Sequence, residues 1–357
     1  MDVADLERQL AQFWREASTD SQAVMRACTH NLIVACQDDD GVADATRTVA
    51  RLSEQFPGRM LVVSVAEEAQ GGAERSDLDA FVSTHCHRGA AGSRVCCEQV
   101  TLAARGPRGM SLIPETVLQL LEGDVPVYTW WRRTSLAADP LWEPLARLSD
   151  RCIVNSATSA DPARALADLA GLASNDAWRG ASGDLAWIRL EPWREIVAAQ
   201  FDSGLTRGYL DGISAVEIDT ASTTAGAYLV AWLASRLGWS LDDRQAAWRR
   251  PDGAAVAVRL APDRGSGSRL IGAVRIEATD LGRTARLVAE RTAPDEDSVR
   301  LRVEAEHACP PPSILKIRRP EDAPLLCGEL GRDSEDPVFL EALGLAARWA
   351  STPERLA

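Results

Sequence analysis

Short apolar runs that alternate with amphipathic helical segments constrain the fold of this 357-residue chain more than any other feature. The runs at 31–36, 60–66 and 125–131 lack regular polar alternation, which is typical of strands buried on both faces. Between the first two, residues 42–56 place apolar side chains at helical spacing. A β-α-β order of this kind builds a mostly parallel sheet with helices on both faces. We therefore predict an α/β, Rossmann-like domain over residues 1–205.

The pattern changes after about residue 205. A long apolar helix is predicted over 223–237, and strand-like runs that alternate apolar residues with Arg or Glu follow it. These runs lie at 254–261, 269–278, 285–291 and 299–306. Short connections and one polar face are typical of an antiparallel meander. We predict an α+β domain over 206–357, with a last helix over 337–349 that could cover the apolar face of the meander.

Composition narrows the classes of function. Acidic residues outnumber basic ones by 52 to 39, so the formal net charge is −13, and no Lys/Arg-rich run interrupts the chain. Nucleic acid is not an expected partner, because a protein needs a basic surface to neutralise phosphates. Lys316 is the single lysine of the sequence. Its surroundings have neither a phosphate-loop nor a Schiff-base motif, which argues against both chemistries.

Membrane insertion and export are not expected either. The longest apolar stretch, 223–235, is shorter than the about 20 residues that a membrane-spanning helix needs. Residues 1–14 lack the basic segment and apolar core of a signal peptide. We expect a cytoplasmic protein whose eight cysteines are mostly reduced and buried.

The turn after the first predicted strand is where a Rossmann-like domain would hold a nucleotide phosphate. Its sequence, CQDDDGVADATR (36–47), places three carboxylates where glycines and a free helix N-terminus are required. The aspartates are adjacent rather than alternating, unlike those of a calcium loop. The turn therefore disfavours anion binding, and Asp40 or Asp44 is expected to cap the following helix.

A group of histidines and cysteines in the first domain could bind a metal or react. His85, Cys86 and His87 are followed by Cys96 and Cys97. These are zinc-ligating residue types, but adjacent residues on a strand point to opposite faces, which makes a shared site unfavourable. Packing is the preferred interpretation, and a reactive or redox thiol and a metal-dependent redox module stay open as alternatives. No metal or cofactor is predicted.

Known catalytic motifs are missing from the sequence. It holds no Gly-x-Ser-x-Gly elbow, no His-Glu-x-x-His and no kinase motif. Three of the four histidines lie in segments without an acidic partner at motif spacing, which leaves little material for acid–base chemistry. The sequence therefore predicts a protein that is not an enzyme.

Tryptophan and arginine are the candidate interaction residues. The sequence holds eleven Trp against five Phe and three Tyr. Trp and Arg are enriched at interface hot spots, because they supply large contact areas and forked hydrogen bonds. The partner-binding candidates are Trp130, Trp131, Arg132, Trp187, Arg189, Trp193 and Arg194. Since adjacent strand residues face opposite ways, we expect either Trp130 or Trp131 to lie at a surface.

Six segments share their motifs and their order with a known family. They are RACTHNLIVAC (26–36), FPGRMLVVSV (56–65), CCEQVTLAARG (96–106), IPETVLQLLEGDVPVYTWWR (113–132), DRCIVNSA (150–157) and GDLAWIRLEPWREIVAAQFD (183–202). Together they resemble the OpcA family of glucose-6-phosphate dehydrogenase assembly proteins. The predicted meander fits the C-terminal domain of that family in order but with weaker motifs, and Tyr128-Thr129 is less apolar than the family pattern.

The resemblance implies a non-catalytic bacterial protein that binds glucose-6-phosphate dehydrogenase and acts as an assembly factor or allosteric activator of its active oligomer. Such a protein would support NADPH production in the oxidative pentose phosphate pathway. Cyanobacterial members link this control to thioredoxin and cysteine redox state, which makes thioredoxin a further expected partner. The redox candidates are Cys309, Cys327, Cys96 and Cys97, and a disulfide between the first two would need Cα atoms within about 7 Å.

An alternative from another class is a sugar-phosphate-binding sensor or enzyme of the same pathway. Arg132, Arg133 and Arg194 are the residues that could hold the phosphate in this case. The sequence leaves open which alternative holds, and it leaves open the stoichiometry and contact face of a complex with the dehydrogenase.

Overall fold

The chain forms two compact units, and each unit is made of three separate segments of the sequence. The computed structural model describes residues 3–19, 24–66, 77–88, 94–175, 178–242, 247–263, 270–293, 297–306, 309–317, 320–332 and 334–352. Unit 1 comprises Met1–Asn155, Asn175–Gly183 and Glu321–Ser334. Unit 2 comprises Ser156–Ser174, Asp184–Pro320 and Glu335–Ala357. Both units are discontinuous and defined by packing, so the division of the sequence at residue 205 stays a prediction.

Helices and strands alternate through the first part of the chain and separate in the second. The strands are β1 (Val24–Arg26), β2 (Asn31–Cys36), β3 (Arg59–Ala66), β4 (Leu78–Arg88), β5 (Arg94–Arg105), β6 (Val127–Arg132), β7 (Arg151–Val154), β8 (Ala181–Asp184), β9 (Ile213–Thr220), β10 (Ser240–Asp242), β11 (Ala247–Arg249), β12 (Ala255–Pro262), β13 (Ile271–Asp280), β14 (Arg283–Arg291), β15 (Ser298–Ala305) and β16 (Ser313–Lys316). The helices are α1 (Val3–Thr19), α2 (Asp39–Leu52), α3 (Gly106–Leu120), α4 (Trp142–Arg147), α5 (Pro162–Ala173), α6 (Leu185–Ile188), α7 (Glu191–Ala199), α8 (Thr223–Leu237), α9 (Asp322–Leu330) and α10 (Pro337–Ala350). Within the described ranges, no helix combines the length and apolar character needed to cross a membrane.

The sheet of unit 1 confirms the predicted mostly parallel α/β architecture. Its strands follow the order β1-β5-β3-β2-β6-β7-β8, with parallel pairing from β5 through β3, β2 and β6 to β7. β4 pairs antiparallel with β5 along its full length. Every residue of β2 is buried, which requires cover on both faces of the sheet.

The N-cap of helix α2 is a different aspartate from the two that the sequence predicts. The carboxylate of Asp38 accepts a hydrogen bond from the Gly41 amide at 2.8 Å, so Asp38 is the N-cap. Asp40 lies inside the first turn, and Asp44 lies further along the helix. The prediction of Asp40 or Asp44 was wrong because Asp38, the first of three consecutive aspartates, has the extended backbone of a cap, whereas Asp39 and Asp40 are already helical.

Buried arginines close the amino-terminal edge of this sheet. Arg59, the first residue of β3, lies 2.8 Å from Glu98 of β5 and also contacts Glu7 and Glu122. Arg151, the first residue of β7, lies 3.1 Å from Glu329 of α9, and both side chains are 3% exposed. Arg151 also donates to the Ser334 carbonyl at 2.6 Å. The pair thereby holds the segment from 321 to 334 within unit 1.

Unit 2 is built on a second sheet with the order β10-β11-β12-β9-β13-β14-β15-β16. The last three predicted runs are present as β13, β14 and β15, each paired antiparallel with the next. β16, which was not predicted, extends this meander by pairing antiparallel with β15. The first run, β12, departs from that prediction because it pairs parallel with β9, which lies between β12 and β13. Helix α8 follows β9 and makes the crossover that a parallel pair requires.

A buried carboxylate organises the core of unit 2. Asp184 is fully buried and accepts hydrogen bonds from the amides of Ser156 and Ala186 and, at 2.8 Å, from the Tyr228 hydroxyl of α8. Burial raises the pKa of this carboxyl, and its hydrogen bonds oppose the shift. The Asp184 side chain thus joins the start of α6 to the apolar helix α8.

We expect Glu329→Gln to lower the free energy of unfolding by about 3 kcal/mol or more, because it leaves the buried Arg151 cation without its carboxylate. The measurement is a urea titration followed by circular dichroism. Glu321→Gln is the matched control, since its pair with Arg51 is 61% exposed on both sides and contributes about 0–1 kcal/mol. Equal losses in the two variants would contradict the assignment.

The stability of unit 1 should also fall in acid through His30. Burial lowers the pKa of His30 to about 4, against an ordinary value of 6.5. The unfolded chain therefore takes up the proton first, and stability declines by about 3 kcal/mol as the pH falls from 6.5 to 4. His30→Asn should lose this part of the pH dependence in urea titrations, whereas His85→Asn should retain it. A wild-type slope in His30→Asn would refute the prediction.

Candidate functional site

Both tryptophans at the end of β6 are buried, so the expectation that one lies at a surface was wrong. Trp130 is 1% exposed and Trp131 is 2% exposed. Adjacent residues do point to opposite faces, but β6 pairs with β2 on one side and β7 on the other, inside a sheet that is covered on both faces. The side chains of Trp130 and Trp131 therefore point to opposite faces of the sheet, and each is buried on its own face.

Each of these two tryptophans has a defined partner in unit 1. The Trp131 indole donates to the Ser135 carbonyl at 2.7 Å and meets the Trp142 ring edge-to-face at 5.0 Å. The Arg132 guanidinium lies 4.6 Å from the centre of the Trp130 ring, within cation–π range. Trp130 and Trp131 therefore support the strand end and do not offer their rings to a partner.

Arg132 and Arg133 close the carboxyl edge of the unit 1 sheet. Arg132 donates to Asp44 of α2 at 2.6 Å and to the Gly41 carbonyl at 3.2 Å. Arg133 lies 2.5 Å from Asp139 and donates to the Cys36 carbonyl, at the end of β2, at 3.0 Å. Both guanidinium groups thus bind groups of this chain. This leaves the sugar-phosphate alternative without its proposed ligands in unit 1.

The positive charge of Arg132 changes the pKa of its partner Asp44. Partial burial raises the pKa of Asp44, but the hydrogen bond and charge of Arg132 outweigh that effect, and the net pKa shift is downward. Asp44 therefore stays ionised at neutral pH. The ion pair joins the first turns of α2 to the end of β6.

An open cavity of about 510 Å³ lies at the same carboxyl edge. Its lining residues come from the ends of β2 and β3 and the start of α2, namely Gln37, Asp38, Asp39, Asp40, Val65 and Ala66. In α/β sheets this edge is the usual position of a nucleotide ligand. Here its carboxylates repel phosphate, and the Asp38 side chain occupies the Gly41 amide that an anion would need.

The second Trp/Arg cluster belongs to unit 2, and its tryptophans are also buried. Trp187 is 3% and Trp193 is 2% exposed. The Arg194 guanidinium lies 3.7 Å over the Trp187 ring and donates to the Trp187 carbonyl at 2.7 Å. The Arg189 amide closes α6 by donating to the Leu185 carbonyl. The cluster therefore fixes the turn between α6 and α7.

The structure gathers the partner-binding candidates into two groups, one in each unit. Trp130, Trp131 and Arg132 lie in unit 1, and the cluster from Trp187 to Arg194 lies in unit 2. Their partner-binding role stays a prediction. Their burial means that such a role would come from shaping a surface, since aromatic rings that are 1–3% exposed cannot supply a contact area.

Cys86 and Cys96 form a disulfide, which the sequence analysis did not predict. They lie directly opposite each other on β4 and β5, with Cα atoms 4.1 Å apart. Cys86 is exposed, whereas Cys96 is 1% exposed. The bond uses both sulfurs and so removes two donors from the proposed metal module. In the part of the chain that the structure describes, no three His, Cys, Asp or Glu side chains are placed to hold a metal ion.

The remaining redox candidates differ in accessibility. Cys97 points to the opposite face from Cys96, and burial raises its pKa, which disfavours the thiolate. Burial likewise raises the pKa of Cys327, whereas Cys309 is exposed. Cys309 lies in unit 2 and Cys327 in unit 1, and their redox role stays a prediction. The pairing of Cys86 was missed because periodicity alone did not identify β4 as a strand beside β5.

Two profiles of one known family match this chain in succession, and both are described as domains of a glucose-6-phosphate dehydrogenase subunit. The profile of the N-terminal domain matches residues 49–171. The profile of the C-terminal domain matches residues 181–343. Both carry the OpcA designation. Their order agrees with that of the predicted domains, and their division falls between residues 171 and 181.

Curated relatives with similar sequences are cyanobacterial proteins named OxPP cycle protein OpcA. The Synechococcus elongatus relative is 32% identical over 199 residues, which is 52% of this chain and 44% of the relative. The Synechocystis relative is 29% identical over 208 residues, or 57% and 40% of the two chains. The Nostoc punctiforme relative is 30% identical over 170 residues, or 46% and 36%. The match thus spans less than half the length of these relatives.

Solved structures with a similar arrangement share little sequence with this chain. A 3-ketoreductase from Actinomadura kijaniata is 12% identical with a TM-score of 0.48, over 91% of this chain and 96% of that one. Gal80p from Saccharomyces cerevisiae is 11% identical with a TM-score of 0.47, over 90% and 93% of the two chains. Likeness at this level carries no inference about activity.

Thiol labelling should separate the cysteines by the chemistry described above. Before reduction, a maleimide probe is expected to modify Cys309 quickly and to leave Cys86 unmodified, because its sulfur is in the disulfide. After dithiothreitol treatment, Cys86 should become reactive, while the buried Cys97 stays protected in the folded chain. Peptide mass mapping measures both. Labelling of Cys86 without reductant would contradict the disulfide.

Proposed function

Because this chain belongs to the OpcA family of glucose-6-phosphate dehydrogenase assembly proteins, we propose that it is a non-catalytic partner of that dehydrogenase. It binds the enzyme, promotes its active oligomer and so supports NADPH production in the oxidative pentose phosphate pathway. The observation that carries the proposal is the match of both family domains, in order, between residues 49 and 343.

The electrostatics of the carboxyl edge support a non-catalytic role. An enzyme of this architecture would hold a phosphate-bearing ligand there, next to helix N-termini and unpaired basic groups. Asp38, Asp39 and Asp40 surround that position instead. The nearby Arg132 and Arg133 are bound to Asp44 and Asp139. The edge is therefore a poor phosphate site, while its polar, exposed turn is available to a protein surface.

The energetic requirement on such a partner is differential binding. An activator shifts the dehydrogenase toward its active form only by the difference between its affinities for the active and inactive forms. A tenfold preference corresponds to about 1.4 kcal/mol. In this proposal, the turn at the start of α2 has the shape that the active form of the dehydrogenase recognises. The buried rings of Trp130 and Trp131 and the ion pair of Arg132 with Asp44 hold it in that shape.

The experiment is a titration of the dehydrogenase from the same organism with this chain, while NADPH formation is followed by its absorbance. We expect saturable activation at near-stoichiometric ratios and a complex in size-exclusion chromatography. The titration is repeated with dithiothreitol, since a difference would bring the Cys86–Cys96 disulfide, and thioredoxin as its reductant, into the mechanism. No activation and no complex in either condition would refute the proposal.

Ligand binding distinguishes the proposal from the sugar-phosphate alternative. Glucose 6-phosphate and 6-phosphogluconate are added to the isolated chain in a thermal unfolding assay. We expect no saturable rise in melting temperature, because the candidate arginines already bind groups of this chain. A saturable rise in the absence of the dehydrogenase would favour the alternative.

Arg132→Gln should reduce activation of the dehydrogenase about tenfold or more, because it releases Asp44 and the start of α2 from β6. The variant is titrated against the dehydrogenase beside the wild-type chain, and circular dichroism checks its fold. Arg147→Gln is the matched control, since its exposed pair with Glu143 lies within α4. Full activation by a folded Arg132→Gln variant would exclude the Arg132–Asp44 ion pair from the mechanism.

A further inference from the structure

One face of the unit 2 sheet carries charged side chains in ordered rows. Alternate residues of its strands are buried, such as Val216, Ile218 and Ile276, and define the covered face. The residues between them point to the other face, whose charged side chains range from half-buried to exposed. This second face is called here the charged face.

The register of the strands sorts the charged face into three rows that cross the strands. Row 1 consists of Glu277, Arg286 and Glu304. Row 2 consists of Arg259, Glu217, Arg275 and Arg302, with Val288 between the last two. Row 3 consists of Asp219, Glu290 and Arg300. Row 2 therefore has an excess of two positive charges, and rows 1 and 3 each have an excess of one negative charge.

The ten charged residues of these rows balance to zero, although the whole chain has a net charge of −13. A second copy of the chain is repelled by the net negative charge, and a neutral patch adds no local repulsion to it. The charged face is therefore a surface on which two identical acidic chains can approach each other.

Ion pairs within the face hold several of its side chains in place. Arg275 forms a forked pair with Asp219 at 2.9 and 2.8 Å, and Arg302 lies 3.0 Å from Glu290. Val288, which lies between Arg275 and Arg302 in row 2, is only 2% exposed. Side chains that are already ordered lose less conformational entropy when a partner binds.

The order of the rows selects one way of placing two copies face to face. A two-fold axis that runs along the rows, between row 1 and row 2, sets each residue of these two rows opposite the position two residues away on the same strand. Arg275 then faces Glu277 of the other copy on β13, and Arg302 faces Glu304 on β15. The same axis between rows 2 and 3 would set Arg302 against Arg300, which is repulsive.

The area of the face suits such an arrangement. β12, β9, β13, β14 and β15 lie side by side, and at about 4.8 Å per strand and about 3.3 Å per residue they span roughly 24 Å by 26 Å. This is about 600 Å² before side-chain relief is counted, close to the about 800 Å² per partner of a standard interface.

We propose that the charged face is a homodimer interface in which two copies pack their unit 2 sheets face to face, with row 1 of each copy against row 2 of the other. Four Arg–Glu contacts across the two-fold axis, two from each copy, specify the register. This interface is independent of the proposed partnership with the dehydrogenase.

Sedimentation velocity of the full chain tests the proposal. At micromolar to submillimolar protein and about 0.15 M salt, which screens the long-range repulsion between the two acidic chains, we expect a species of twice the 38.5 kDa chain mass. This species should dissociate at about 1 M salt, where the short Arg–Glu contacts are screened as well. A wild-type chain that stays monomeric under these conditions overturns the proposal.

Glu277→Arg combined with Glu304→Arg gives a directional test. The double variant makes the net charge less negative, so general repulsion between copies falls, yet it places arginine opposite Arg275 and Arg302. We expect dimerisation to weaken about tenfold or more. Glu143→Arg combined with Glu321→Arg is the control with the same charge change at exposed sites of unit 1, and it should dimerise at least as well as the wild type.

The outcomes are distinguishable. A folded double variant that dimerises like the wild type excludes this face, and an equal loss in the control shows that net charge alone decides association; either result overturns the proposal. A wild-type chain that is monomeric, together with a double variant that no longer activates the dehydrogenase, would assign the face to that enzyme instead of a second copy.

Discussion

The structure of unit 1 depends on pairing charges at both edges of a sheet whose central strand is buried on both faces. A parallel sheet leaves charged side chains room only at its edges, where they must find partners. Arg59 and Arg151 close the amino edge, and Arg132 and Arg133 close the carboxyl edge. The chain uses arginine throughout, and the forked guanidinium can satisfy a carboxylate and a backbone carbonyl at once, as Arg132 and Arg133 both do.

Much of the fold could be predicted because its strands and helices have strong local patterns. β2, β3, β6 and α8 lie where apolar runs and helical spacing placed them. β4 has no comparable pattern: its outer strand position leaves Phe81 exposed and accepts Ser83 and Thr84, so alternation is weak. The position of β9 between β12 and β13 could not be predicted either, since strand order depends on contacts far apart in the sequence.

The candidate site was predicted in composition but not in geometry. The Trp/Arg clusters are present, but Trp130, Trp131, Trp187 and Trp193 are core residues whose rings contact other parts of the same chain. Residue type alone does not distinguish a hot-spot tryptophan from a core tryptophan, because both owe their effect to a large apolar area. The charged face could not be predicted from the sequence, because alternating Arg and Glu are typical of any solvated strand. Only the register between the strands shows that these side chains form rows.

The return of residues 321–334 to unit 1 has a consequence for how the chain is made. Arg151 and its partner Glu329 are 178 residues apart, and at about 5–20 residues per second a ribosome needs roughly 10–35 s to travel between them. During that interval the first 155 residues can collapse around β2, but Arg151 still lacks the Glu329 carboxylate and the Ser334 carbonyl that it binds in the complete unit. Unit 1 therefore obtains its full set of contacts only after most of unit 2 has left the ribosome, so the order of synthesis differs from the order in which the two units can be completed.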